Sequence, residues 1–493
     1  MNTFAQRLAT NSSWTRTENG ADAIGSTGSP LLDLFGVVGA LRTRPHDVDS
    51  MFEKAYNENP LLATKLSFYA RNVRGGLGER EVARRMWAWL ASTHRDTMIR
   101  NMAHIPEFGR WDDIYSFIGT EAEGIAWGLI AEQWSKDINA YEHGQPISLM
   151  AKWLKSINTS SPESRKLGKL TAKHIGYSER DYRKHLAMLR GWLKLTEVFM
   201  SAKAWDKINY SAVPSKAMAN YRKAFGRHDP EGFTSFITKV QKGEAVIHSA
   251  TLYPYDLFEK MGFGFGYGYG GKFNMSSWDE VLEEQWKALP NYVEDGDNVL
   301  IVADTSGSME GRPICTSVGL AVYFAERNTG QFKNQFITFS ESPSFVTLTG
   351  KTLKDKIKCV PSIVANTNLQ AVFELVLDTA VKYSVPQADM PKSIIIISDM
   401  EIDSAENSRG KTFNKAMKEK FARAGYELPN MVYWQVDSRN RNVFHAEMDE
   451  HGVQLASGQS PSVFKAILKG VGLTPYDMMV ETLSDPKYDC IAV

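Results

Sequence analysis

Three short polar segments in the second half of the chain combine carboxylate and hydroxyl side chains in a way that suits metal binding. They are Asp304-Thr305-Ser306-Gly307-Ser308, Asn366-Thr367-Asn368 and Ser398-Asp399. The first and third directly follow apolar runs, and the second immediately precedes an amphipathic stretch with helical periodicity. Ligand sites of open α/β sheets lie at the edge where the strands end. We therefore expect the three segments to meet at one edge of a sheet.

The ligand that these side chains predict is Mg²⁺ or another hard divalent cation. Mg²⁺ prefers six oxygen ligands and keeps several waters. Ser306 and Ser308 are two residues apart, so in an extended loop their hydroxyls face the same side. Nearby Cys and His are absent from the sequence, which disfavours zinc. The predicted metal-site residues are Asp304, Ser306, Ser308, Thr367 and Asp399.

Asp304 and Asp399 supply negative charge, either directly or through bound water, and leave coordination positions of such an ion open. An open coordination position would then attract an acidic ligand, either a carboxylate or a phosphate. The alternative interpretation is a Ser-rich turn that caps the next helix. A metal-assisted nuclease is a weaker possibility, because the carboxylates are sparser than two-metal hydrolysis requires.

The apolar pattern of the second half predicts alternating strands and helices. Unbroken apolar runs predict buried strands at 299–303 and 393–397. Further strands are predicted at 335–339, 345–348 and 431–436, and helices at 317–327, 369–383 and 411–424. Alternation of this kind predicts a mostly parallel sheet with helices on both faces.

The first half is helical in pattern from about residue 31 to residue 260. Ser161 before Pro162 and Ser178 before Asp181 are typical helix starts. Helices of this length joined by short turns predict stacked hairpins, although no fixed repeat is visible. The Gly/aromatic segment 262–271 follows, and it is interpreted as a linker, a packing segment or a base-stacking surface.

Positive charge is concentrated in one part of the chain. The formal net charge of all 493 residues is zero, but residues 151–250 contain 19 Lys and Arg against 8 Asp and Glu, a net charge of +11. Basic surfaces attract polyanions, of which nucleic acid is the commonest. A solvated helix face is the alternative.

Composition indicates a globular protein of a reducing compartment. Hydrophobic residues make up 43% and charged residues 23%. No apolar run approaches the roughly 20 residues that span a membrane, and the amino terminus has no apolar signal-peptide core. The three cysteines are unclustered, which argues against a disulfide scaffold. We expect a cytoplasmic protein without membrane partners.

Two sets of motifs resemble known families. The Asp-x-Ser-x-Ser, Thr and Asp elements resemble the metal-ion-dependent adhesion site of von Willebrand A domains. Segment 68–80, with Arg71-Asn72-Val73-Arg74-Gly75-Gly76, resembles the signature of TROVE-type helical domains, and 110–113 and 150–154 are similar to its prokaryotic and viral relatives. A helical half followed by an A domain is the layout of the Ro 60 kDa ribonucleoprotein family.

The resemblance implies an α plus α/β protein. Its first half would be a ring or solenoid of helical hairpins, and its second half a doubly wound, Rossmann-like von Willebrand A domain. The implied domains are a flexible arm at 1–30, a TROVE-like RNA-binding domain at 31–260, a linker at 261–277 and an A domain at 278–493.

The resemblance also implies binding of single-stranded or small structured RNA, and a binding protein rather than an enzyme. With the local positive charge, it gives these candidate RNA contacts: Arg71, Arg74, Lys152, Lys166, Lys169, Lys173, His174, Arg183, Arg222 and Lys223. The metal site would bind an acidic protein. The principal alternative is a metal-dependent protein adaptor or assembly scaffold that binds no RNA.

Overall fold

The computed structural model describes residues 14–266, 273–294, 298–339, 342–362, 368–403, 412–439 and 443–493. The chain divides into two compact units. The sheet unit comprises the described parts of Met1–Leu66, Arg74–Leu77 and Ser249–Asp485. The helical unit comprises Ser67–Val73, Gly78–His248 and Pro486–Val493.

The strands, in chain order, are β1 Trp14–Arg16, β2 Asp22–Ile24, β3 Gly264–Phe265, β4 Phe273–Asn274, β5 Val299–Asp304, β6 Gln335–Phe339, β7 Ser344–Thr347, β8 Ser393–Ser398, β9 Asn430–Gln435 and β10 Val453–Ser457. The helices up to residue 261 are α1 Pro30–Val37, α2 Val48–Glu58, α3 Pro60–Arg71, α4 Arg80–Thr93, α5 Arg95–Asn101, α6 Ile105–Phe108, α7 Glu123–Glu142, α8 Met150–Trp153, α9 Pro162–His174, α10 Glu179–Trp192, α11 Thr196–Ser201, α12 Ser215–His228, α13 Pro230–Gln241 and α14 Pro254–Met261. The later helices are α15 Glu280–Lys287, α16 Arg312–Arg327, α17 Leu353–Ile357, α18 Leu369–Tyr383, α19 Phe413–Arg423, α20 Val463–Lys469 and α21 Pro475–Leu483.

A six-stranded, mostly parallel sheet forms the core of the sheet unit. Its strand order is β10-β9-β8-β5-β6-β7, and only the edge strand β7 runs antiparallel to its neighbour. Every residue of β5 and β8 is buried, as expected of parallel strands covered on both faces. The predicted alternation of strands and helices is therefore confirmed. The order reverses between β5 and β8, where doubly wound sheets bind their ligands.

The helical unit is built from packed helices whose starts follow the predicted signals. Ser161 caps α9 by accepting from the amide of Ser164, and Ser178 caps α10 by accepting from Asp181. The apolar face of α10 is buried, and its Tyr182 ring lies 5.5 Å from that of Trp134 on α7. In the described part of the chain, no helix combines the length and the apolar character needed to cross a membrane.

The amino-terminal segment belongs to the sheet unit, which differs from the predicted domain bounds. Ile24 pairs with Phe444, and α1 packs against β10. A Cβ on Gly39 would lie 2.5 Å from the Cα of Gly458, so the two backbones touch. Residues 14–30 are thus part of a folded unit, while residues 1–13 of the predicted arm lie outside the described residues.

The ends of the other predicted domains also shift. Residues 31–66 group with the sheet rather than with the helices, and residues 486–493 group with the helices. In the helical unit, the amide of Asn101 donates to the backbone oxygen of Ala492 at 2.6 Å. These contacts join segments almost 400 residues apart, which no local pattern reveals.

The described part of the Gly/aromatic segment is packed. Gly262 ends α14 in the left-handed conformation, with φ of 66°. β3 then pairs with β4, and the rings of Phe263 and Phe273 lie 4.6 Å apart. This arrangement agrees with the packing interpretation for the flanks of the segment, and residues 267–272 lie outside the described residues.

Candidate functional site

The carboxyl ends of β5 and β8 lie side by side at the point where the strand order reverses. Ala303 pairs with Ile397 across the two strands. The hydroxyl of Ser317, which is buried on α16, lies 3.0 Å from the backbone oxygen of Asp304 and 3.2 Å from that of Ile397. Helix α16 thereby holds the ends of β5 and β8 together. The predicted site residues Asp304, Ser306, Ser308 and Asp399 lie at these strand ends or directly after them.

Asp304 is fully buried and fixed by two hydrogen bonds. Its Oδ1 accepts from the backbone N–H of Ser306 at 2.8 Å, and its Oδ2 accepts from the hydroxyl of Ser398 at 2.6 Å. Burial and the nearby charge of Asp399 raise the pKa of Asp304 to about 7, although the hydrogen bonds act in the opposite direction. The two like charges are therefore costly to bury together.

Asp399 carries an oxygen without a hydrogen-bond partner in the described part of the chain. Its side chain is 2% exposed, and its Oδ1 accepts from the backbone N–H of Glu401 at 3.3 Å. Its Oδ2 is buried and finds no hydrogen-bond donor among the described residues. A buried carboxylate oxygen without a donor is destabilising. The pair of aspartates therefore fits a hard cation, which would supply the missing positive charge.

The two predicted serine ligands are also brought together. The hydroxyls of Ser306 and Ser308 are 3.0 Å apart, on a short turn that follows β5. Thr367 lies outside the described residues, so the structure does not place it. Its neighbour Asn368 starts α18 by accepting from the backbone N–H of Ala371.

A third carboxylate near this edge was missed from the sequence. Asp437 follows β9 and is 9% exposed. Burial raises the pKa of Asp437, and the charge of Asp399 adds to the effect, while Arg439 and Thr43 oppose it. Asp437 lies near Asp399 because β9 is the neighbour of β8 in the sheet, which the sequence does not reveal. Among the described residues, however, no cluster of three or more His, Cys, Asp and Glu side chains is arranged to hold a metal.

Most of the candidate RNA contacts lie on the surface of the helical unit. The candidates that are exposed in that unit are Lys166, Lys169, Lys173, His174, Arg183 and Lys223. Lys152 is partly buried. Lys169 forms an exposed ion pair with Glu179 at 3.2 Å. The His174 ring stacks on Trp127 with centroids 4.4 Å apart. Arg74 is exposed as well, but it belongs to the sheet unit.

Two of the candidates are interior residues instead. Arg71 is 4% exposed, and its guanidinium lies 2.9 Å from the carboxylate of Asp113. Arg222 is 6% exposed and donates to the backbone oxygen of Ala219 at 2.7 Å. Buried cations are retained when they are paired. We therefore assign both residues to the stability of the helical unit rather than to a surface contact.

Sequence reasoning also missed a cationic cluster around Asp112. Arg110 bonds both oxygens of this carboxylate at 2.9 Å, and Lys155 lies 3.3 Å from Oδ2. Burial opposes ionisation, but Arg110, Arg84 and Lys155 together hold the pKa of Asp112 below its ordinary value. In the sequence, the Arg110-Trp111-Asp112-Asp113 motif indicates a family resemblance but not this charge cluster.

Two family models match the chain. One, described as a domain of unknown function (DUF2828), matches residues 17–126 and 150–297, which is more than half of the chain. The other, also described as a domain of unknown function (DUF7788), matches residues 298–486.

Two individual proteins are also similar. The protein described as Uncharacterized protein L728, of Acanthamoeba polyphaga mimivirus, is 28% identical over 511 residues, covering 95% of this chain and 86% of that protein. The crystal structure of the Deinococcus radiodurans RO (RSR) protein aligns over 89% of this chain and 93% of that chain, with 14% identity and a TM-score of 0.41.

Proposed function

This chain belongs to the family described as domain of unknown function DUF2828, and we propose that it is an RNA-binding protein with a second, cation-dependent ligand site. The observation that carries the proposal is the set of exposed cations on α9, α10 and α12 of the helical unit. They include Lys166, Lys169, Lys173, Arg183 and Lys223. Such side chains bind RNA through its backbone phosphates.

Single-stranded RNA is the form that this surface suits. Contacts to phosphates do not require a particular base sequence. The phosphates of an unpaired strand can be contacted as well as those of a double helix. The exposed His174 ring stacked on Trp127 adds an aromatic surface next to the cations, and unpaired bases stack on such surfaces. We assign the local charge of +11 to this role.

A charge-matched comparison tests the proposal. The test variant changes Lys166, Lys169, Lys173 and Arg183 to Gln. The control variant changes four exposed cations of the sheet unit to Gln: Lys382, Lys418, Arg423 and Lys469. Binding of a fluorescent unstructured RNA is measured by anisotropy at fixed ionic strength. We expect the test variant to lose at least about tenfold in affinity and the control to change little. Equal losses in both variants would mean that net charge, not this surface, determines binding.

The second site is the edge of the sheet, where Asp304, Ser306, Ser308 and Asp399 would hold Mg²⁺. The observation that supports it is the buried Oδ2 of Asp399, which accepts no hydrogen bond from any residue that the structure describes. Mg²⁺ bound there would supply an open coordination position for an acidic group. We propose a protein carboxylate as that group, which would make the chain an adaptor between RNA and another protein.

A further inference from the structure

A basic pocket lies beside the Asp112 cluster in the helical unit. Its volume is about 530 Å³. Cations dominate its lining, which includes Arg80, Arg110, Lys152 and Lys155 together with the ring of Trp153. The remaining polar lining comes from Asp112, from Ser156, Asn158 and Thr159 of the following loop, and from Ser164 at the amino end of α9.

The charges around this pocket do not balance. Asp112 is 5% exposed and is shared by Arg84, Arg110 and Lys155. Arg84 also contacts Asp113 at 2.7 Å, and that carboxylate is already bonded to Arg71. Arg84 and the lining residue Arg80 also pair with Glu81, at 3.3 Å and 2.8 Å. Three carboxylates therefore face five cations. Lys152 adds a further positive charge to the lining, so an anion entering the pocket meets a surplus of positive charge.

The pocket wall is held in place by partly buried hydrogen bonds. Arg190 on α10 donates to the backbone oxygens of Ala151 and Leu154 and to the hydroxyl of Ser156, at 2.8–2.9 Å. The hydroxyl of Tyr182 donates to the backbone oxygen of Lys155 at 2.8 Å. Lys152 and Lys155 are thus presented from a fixed segment, which lowers the ordering cost of binding a ligand.

The lining also contains an aromatic ring. The guanidinium of Arg110 lies 4.1 Å from the centroid of Trp153 and connects the ring to the charged cluster. A volume of about 530 Å³ falls within the range of small-molecule pockets and exceeds the needs of a lone inorganic anion. The combination fits a phosphate attached to a nucleoside, with the base near the ring.

We propose that this pocket binds a nucleotide phosphate monoester, carried either at the end of an RNA strand or by a free mononucleotide. As an RNA-end site it rests on the proposed function, which it deepens. A monoester carries more negative charge near neutral pH than an internal diester does. The pocket would therefore select strand ends over the middle of a strand.

Anisotropy titrations of the full chain test this inference. The probes are one internally labelled, unstructured RNA with a 5′-phosphate, with a 3′-phosphate or with neither. AMP and adenosine serve as competitors. We expect one phosphorylated end to bind about tenfold more tightly than the unphosphorylated strand, and AMP but not adenosine to remove this preference.

Variants assign the effect to the pocket. Lys155→Gln should abolish the preference for the phosphorylated end, because it removes a cation from the pocket lining. The fold should be retained, because Arg110 continues to bond both oxygens of Asp112. Lys152→Gln leaves all three cations of Asp112 in place and should reduce the preference. It provides the test if Lys155→Gln does not fold. Lys239→Gln, an exposed site on α13, should retain it.

The outcomes separate this inference from the proposed function. If RNA binds equally with and without terminal phosphates, and AMP does not compete, the pocket inference is overturned while RNA binding stands. If no RNA binds but a fluorescent AMP binds wild type and not Lys155→Gln, the proposed function fails and the pocket is a mononucleotide site. Absence of both kinds of binding overturns both.

Discussion

At the residue scale, Asp304 and Asp399 bury two like charges, and a cation would allow both to remain ionised. We predict that Asp304→Ala or Ser306→Ala will weaken Mg²⁺ binding while leaving the fold largely intact, because the site is at the sheet edge. Isothermal titration calorimetry measures the affinity, and circular dichroism checks the fold. Ser484→Ala, remote in sequence from all the predicted ligands, is the control. Mg²⁺ titrations unchanged by both site substitutions would refute the metal assignment.

His445 gives the sheet unit a defined response to acid. The ring is 1% exposed, and burial lowers its pKa to about 4 despite a contact with the backbone oxygen of Met400. The unfolded chain therefore binds a proton between about pH 6.5 and pH 4 that the folded chain refuses. Stability from this group is complete above that window and is lost as the pH falls through it, by roughly 3 kcal/mol.

Urea denaturation across this pH range tests that prediction. We expect His445→Gln to lose less unfolding free energy than wild type between about pH 7 and about pH 4. His451→Gln, at an exposed position, should follow wild type. If His445→Gln and wild type lose stability in parallel, the buried ring is not the acid-sensitive group.

Sequence reasoning at this scale places residues together where they are neighbours in the chain. Ser306 bonds Asp304 two residues away, and the spacing alone predicts that they share a loop. It failed for Arg71, whose partner Asp113 is 42 residues distant. A buried arginine and a surface arginine look the same in a charge count.

At the element scale, α9 packs its backbone directly on the pocket loop. A Cβ on Gly168 would lie 2.9 Å from the backbone oxygen of Lys155. Gly→Ala in a helix ordinarily stabilises by up to about 1 kcal/mol. At Gly168 we predict the opposite sign, a destabilisation of about 1–3 kcal/mol, because neither backbone can yield easily.

Gly191 provides the matched control for that substitution. It lies on the neighbouring α10, and a Cβ there meets nothing within 4 Å. Gly191→Ala should leave stability unchanged or raise it, as judged by urea midpoints of both variants. A Gly168→Ala protein as stable as Gly191→Ala would contradict the close contact between α9 and the loop.

The strands of the sheet were predictable to different degrees. β5 and β8 are buried on both faces, so their unbroken apolar runs identify them. β1 and β2 have three residues each, too few for a periodic pattern. Gly20, between the two strands, pairs with Asp403, and Ile24 of β2 pairs with Phe444. These pairings depend on the completed fold, so the sequence predicts a loose arm for residues 14–30 that the structure shows to be folded.

At the scale of the whole molecule, the two proposed sites lie in different units. Asp304 belongs to the sheet unit, and the exposed cations of α9 and α10 belong to the helical unit. Contacts between Lys or Arg and phosphates need no metal. We therefore predict that Asp304→Ala, or removal of Mg²⁺ with a chelator, will change the affinity for unstructured RNA by less than about tenfold, or 1.4 kcal/mol.

The comparison uses wild type and the folded variant at the same ionic strength. Unstructured RNA is needed because Mg²⁺ would otherwise alter the ligand itself. A loss beyond about tenfold would mean that an RNA phosphate contacts the metal, and the adaptor proposal would fail. A helix-rich first half and a mostly parallel sheet in the second half were predictable from the sequence. The assignment of residues 31–66 to the sheet unit was not, because its contacts span most of the chain.

The most direct test of RNA binding is the salt dependence of the affinity of the full chain for unstructured single-stranded RNA. Each phosphate contact should lower the logarithm of the association constant by about 0.7 per tenfold increase in salt. With several of the exposed cations engaged, we predict a slope of about −3. Tight binding that ignores salt, or no binding at low salt, would contradict the proposed function.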